Sequence, residues 1–106
     1  MDEMGKDIAE TVRKHVHCVD PKATLILYGS RARGNAADDS DWDFLVLFDT
    51  LPDRDQLRQI RDMLFSVECD TGEVIVPIFH TREEWESPAF RAMPFHENVE
   101  REAIVL

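Results

Sequence analysis

The chain is short of cationic side chains. Twelve Lys and Arg stand against 22 Asp and Glu, a formal net charge of −10 in 106 residues. A surplus of that sign repels polyanions and argues against direct DNA or RNA binding, while leaving room for a nucleotide that arrives with its own metal. Cysteine is scarce too: Cys18 and Cys69 are the only two, with no C-x-x-C or Cys/His metal spacing. They are expected to be small core hydrophobes without a disulfide. No apolar run approaches the ~20 residues that a membrane span needs, and the charged Met1-Asp-Glu start carries no leader pattern. No membrane association and a cytoplasmic location are therefore expected. With 43% hydrophobic residues, the length suits one small domain over residues 1–106, built on a single core. His15, His17, His80 and His96 are dispersed without ligand spacing and are expected to be structural.

What is present reads as a β/α pattern without repeats or linkers. Ile8, Val12 and the His15/Val16/Val19 group recur at helical spacing, predicting an amphipathic helix over 4–18. Thr24 to Tyr28 is β-branched and apolar and runs into Gly29, which suits a buried strand. Asn35-Ala-Ala-Asp-Asp39 suits a polar turn, and Trp42 to Phe48 a second strand. Leu57, Ile60, Met63, Leu64 and Val67 predict a helix over 54–67, with Asp53 as its N-cap. Cys69-Asp-Thr-Gly72 is then a turn. Glu73 to Phe79 is a third strand whose Pro77 demands an edge or a bulge. Thr81 and Glu84 match a capping box at the start of a short helix containing Trp85. Ser87 to Pro94 reads as irregular, and Phe95 to Leu106 as a final helix with an apolar end that must be buried.

The most informative stretch is Leu25-Ile-Leu-Tyr-Gly-Ser-Arg-Ala-Arg-Gly34, followed by Ser40-Asp-Trp-Asp-Phe-Leu-Val-Leu-Phe48. A strand ending in Gly29-Ser30 can present backbone N–H groups and a hydroxyl to phosphate oxygens, because glycine admits close approach and unusual dihedrals. Asp41 and Asp43 lie two apart, so in extended chain both carboxylates leave one face and can share divalent cations. Two rival motifs fail. The glycine spacing of 29–34 imitates a P-loop, but Asn35 and Ala36 replace its Lys and Ser/Thr. Asp39-x-Asp41-x-Asp43 imitates a calcium loop, but Phe44 holds the turn-glycine place and Thr50 the twelfth.

Gly29, Ser30, Gly34, Ser40, Asp41 and Asp43 together resemble the signature of the minimal nucleotidyltransferases of the DNA-polymerase-beta-like superfamily. Glu73-Val-Ile-Val-Pro-Ile-Phe79, Glu83-Glu-Trp85 and Asn98-Val-Glu-Arg-Glu102 also look like small bacterial members. The resemblance implies an α/β (α+β) fold, with a small mixed sheet and helices packed mainly on one face. It also implies transfer of a nucleoside monophosphate, AMP from ATP foremost, to a hydroxyl acceptor. In that reading Asp41 and Asp43 hold two divalent ions, Mg²⁺, while Gly29, Ser30, Arg31 and Ser40 form the nucleotide-binding set. Such minimal domains resemble antitoxin-like proteins that act with a helical HEPN-type partner, and the acceptor could be a tyrosine hydroxyl on that partner; a homo-oligomer is also compatible. The superfamily adds a third carboxylate from a neighbouring strand, and Glu73 is the only acid at that strand. The more usual position is occupied here by Val74 or Val76. Glu73 is thus a catalytic candidate beside Asp41 and Asp43, with a plain strand-end glutamate as the equal alternative.

Arg31 is chosen for phosphate contact, and Arg33 is expected to pair with Asp38 or Asp39. Tyr28 and Trp42 could stack on a base but suit the core better. Trp85 and Phe95 are expected to cover the sheet or an interface. The alternative function is a weak or inactive module of the same fold that binds a HEPN-type partner through its acidic surface and apolar tail.

Overall fold

The computed structural model describes residues 3–34, 37 and 39–106. Its elements are α1 (Glu3–Val19), β1 (Thr24–Tyr28), α2 (Ser30–Arg33), β2 (Trp42–Phe48), α3 (Arg54–Thr71), β3 (Ile75–Thr81), α4 (Arg82–Trp85), α5 (Pro88–Arg91), α6 (Pro94–Glu102) and β4 (Ile104–Val105). The four strands form one mixed sheet in the order β3-β2-β1-β4. β1 pairs antiparallel with both β2 and β4, and β2 pairs parallel with β3. β3 is therefore an edge strand, where Pro77 removes no bond that an outer neighbour would need.

The alternation of β2 sorts its side chains between two cores. Trp42, Phe44, Val46 and Phe48 pack with Ile8, Val12 and Val16 of α1 and with Ile60, Leu64 and Val67 of α3. Leu45 and Leu47 join Ile26, Trp85 and Val99 on the opposite face, with Tyr28, Ile78, Phe90 and Phe95 against them. The two long helices thus share one face, as expected, and short helices cover the other. Trp85 and Phe95 do cover the sheet, their rings edge-on at 5.9 Å.

Both strands of the central motif match their predicted bounds, and Thr81 and Glu84 close a full capping box. Other expectations are corrected. α3 runs on through Cys69, Asp70 and Thr71, ending at Gly72, whose φ of 75° gives the left-handed cap that the sequence hinted at as a turn. β3 consequently starts at Ile75 and leaves Glu73 outside the strand. Ser87 caps a short helix, α5, within the stretch read as irregular. The tail is not helical to its end: after Glu102 the chain extends into β4 beside β1. Both cysteines are exposed rather than buried, because they fall on the outer faces of α1 and α3. Asn35, Ala36 and Asp38, part of the polar turn, lie outside the described residues.

Candidate functional site

Antiparallel pairing places the exit of β1 beside the start of β2, since Tyr28 stands opposite Asp43. Asp43 has the parity of Leu45 and Leu47, so its carboxylate leaves the face covered by α4 to α6, and Asp41 shares that parity. On the far side of β1, Leu27 stands opposite Ile104, and Leu106 N–H donates to the Leu25 carbonyl at 2.9 Å. Extending that register by two residues sets Glu102 opposite Gly29. Glu102 Oε2 accepts from the Gly29 N–H at 2.9 Å and from Arg33 Nη1 at 2.7 Å.

Three chain segments therefore meet at Gly29. Its φ of 78° and ψ of −162° form a combination almost confined to glycine. A Cβ there would come within 2.6 Å of Asp43 Oδ2, so the missing side chain is what admits the carboxylate. The electrostatics register the crowding. Asp43 is held above the usual carboxylate range, first by burial, then by the charges of Asp41 and Glu102. The Tyr28 hydroxyl is pushed up to about 12, by burial and then by Asp43. Acid groups gathered so that one resists ionisation are suited to a cation, and their hard oxygen donors suit Mg²⁺.

Glu73 takes a different place. Its Oε2 accepts from Trp42 Nε1 at 3.2 Å and from Arg31 Nη2 at 3.3 Å, and it is absent from the charges acting on Asp43. The residue of β3 paired with Asp43 is Val76, which brings no carboxylate. Arg31 also donates from Nε and Nη2 to the Ser40 carbonyl, at 3.3 and 3.1 Å, with its guanidinium 4.5 Å over the Trp42 ring. Arg31 and Glu73 thus clamp the segment leading into β2, with Ser40 held through its backbone. Trp42 is core, as expected, at 2% exposure. Arg33 pairs with Glu102 instead of Asp39, and Asp38 lies outside the described residues.

Sequence reasoning missed Glu102. Its signal was the acid immediately before an apolar end that could pair as a strand, but Glu97, Glu100 and Glu102 look alike along one helix.

Among the described residues no helix is long and apolar enough to cross a membrane. No curated protein matches the chain. A family model described as a nucleotidyltransferase domain matches residues 6–104. That match spans β1, β2 and the Gly29–Asp43 corner they form, and the chain belongs to the nucleotidyltransferase domain family.

Proposed function

We propose that this chain transfers a nucleoside monophosphate, AMP from ATP, to a hydroxyl acceptor in the manner of a minimal nucleotidyltransferase. The observation that carries the reading is the meeting of Asp41, Asp43 and Glu102 around a glycine whose absent side chain makes the space. Asp41 and Asp43 would hold divalent ions, two Mg²⁺ in the family manner, which supply charge neutralisation at the attacking and leaving oxygens. Gly29 and Ser30 would border the β- and γ-phosphates, with the Ser30 hydroxyl and backbone N–H as the donors that align the leaving group, since the Gly29 N–H is taken by Glu102. The acceptor oxygen bonds to the α-phosphorus as the bond to pyrophosphate breaks, and the hydroxyl proton passes to the carboxylate group. Glu102, rather than Glu73, is the third acid: it fixes the Gly29 N–H and Arg33 while adding its charge beside Asp43. Arg31 acts as a positioning residue for the Ser40–Asp41 segment, its guanidinium being engaged with Ser40, Glu73 and Trp42.

The acceptor is proposed to be a tyrosine hydroxyl on a HEPN-type partner, in an antitoxin-like pair within the cytoplasm. Its support is the resemblance of the motif, together with a net charge that disfavours a nucleic-acid acceptor. A second reading, an inactive module that only binds such a partner, is favoured by one observation: Val76 stands where a strand-borne acid would flank Asp43. Incubation with α-labelled ATP, Mg²⁺ and the partner separates the two. Label on the partner, lost in Asp41→Ala and Asp43→Ala, supports transfer. A stable unlabelled complex supports the module.

A further inference from the structure

We propose that Glu86, His96 and Glu100 form a binding site for a divalent transition cation of the zinc class, distinct from the carboxylates around Gly29. Glu86 caps the end of α4, and His96 and Glu100 stand one turn apart on α6. One ligand atom from each of the three lies within 4.8 Å of the others. The independent observation is the state of the imidazole. His96 is 6% exposed, and its Nε2 is buried with no hydrogen-bond partner. Native proteins leave few buried polar atoms in that condition, because the lost hydration is not replaced. The ring is locked in plane by stacking on the buried Trp85 indole, with centroids 4.3 Å apart and planes 27° apart. This directs Nε2 at Glu100 Oε1, at 3.6 Å, too long for a hydrogen bond.

The donor set decides the class of ligand. An imidazole nitrogen favours zinc and its neighbours over Mg²⁺ or Ca²⁺, and two carboxylate oxygens with a water complete a tetrahedron. Bonds of about 2.0 to 2.2 Å require donor atoms closer together than 4.8 Å. Glu86 and Glu100 are exposed, so the adjustment falls to these two carboxylates, whereas His96 is the buried, fixed ligand. Arg91 pairs with Glu86 Oε2, which leaves that carboxylate its second oxygen and orients it as outer-shell partners do. A cation held here would tie the end of α4 to α6.

The test is titration of the whole chain with ZnCl₂ in excess Mg²⁺, followed by calorimetry and thermal unfolding. The variants are His96→Gln, the pair Glu86→Gln/Glu100→Gln, and Asp41→Asn/Asp43→Asn. The expected result is one zinc ion bound with a Tm increase of a few degrees at saturation, kept in the Asp41/Asp43 variant. His96→Gln and Glu86→Gln/Glu100→Gln should each weaken binding by about tenfold or more, the loss typical when a metal site is damaged. Two results overturn the proposal: no zinc-dependent rise in Tm, or equal affinity across all variants, which marks adventitious binding at Cys18, Cys69 or the other histidines. If His96→Gln does not fold, the variant at the two exposed glutamates decides the matter.

Discussion

At the scale of the residue, Gly29 is the position with least tolerance. Its backbone lies in a region that costs other residues about 1–3 kcal/mol. An added methyl also meets Asp43 Oδ2, at 2.6 Å. Gly29→Ala is therefore expected to lower unfolding free energy by at least about 1 kcal/mol in urea titration and to displace Asp43. Asp43 supplies a prediction of opposite sign. Its carboxyl ionises at a higher pH in the fold than in the unfolded chain, through burial, Asp41 and Glu102. A group raised in this way contributes stability that is full below its unfolded pKa and is lost as pH rises through the folded one. Asp43→Asn should therefore melt higher than the parent at neutral pH in EDTA, and the difference should shrink as pH falls toward 3.8, the ordinary carboxyl value. An advantage that instead grew on acidification would refute this account.

At the scale of the element, the short β4 matters because its pairing with β1 brings Glu102 to Gly29. Glu102 and Glu73 are thereby separable. Glu102→Gln removes the charge from the hydrogen bonds to Gly29 and Arg33, where charged partners contribute about 1.5–3 kcal/mol, and is expected to cut label transfer about tenfold or more. Glu73→Gln loosens the clamp on Arg31 and Trp42 and should lower Tm while leaving most transfer intact. The reverse ranking would return the third-acid role to Glu73. This contrast also marks how far sequence could be read. β1 and β2 were legible because one apolar run ends at Gly29 and another, interrupted only by Asp43, starts after Asp41. Their antiparallel pairing then brought the two halves of the motif together, so that half of the site followed from local pattern. Glu102 was not legible, because a two-residue strand has no periodicity of its own and its register depends on tertiary pairing. The end of α3 was misread since Gly72 serves equally as a turn residue and as a helix cap, and only tertiary packing selects between them. The exposed Cys18 and Cys69 show the weakness of residue-type averages against helix phase.

At the scale of the whole molecule, the sheet divides two cores of unequal strength. One is built on Trp42, Phe44 and Phe48 under the two long helices, and the other on Leu45, Leu47 and Trp85 under short ones. The second face carries α6 and, through it, Glu102. Segments with fewer buried apolar groups open before the global transition. Loss of ATP-dependent labelling is therefore expected at lower urea than loss of helical circular dichroism, with hydrogen exchange fastest in α5, α6 and β4. Coincident curves would show that the two faces unfold as a unit.

The bond from Gly29 to Glu102 joins residues 73 positions apart. Closing a span of that length costs more chain entropy than pairing β1 with β2, so this contact is expected to form after those strands have met. The corner at Gly29 is thus expected to be completed late in folding, and a chain caught short of its native state would hold Asp41 and Asp43 without Glu102 beside them.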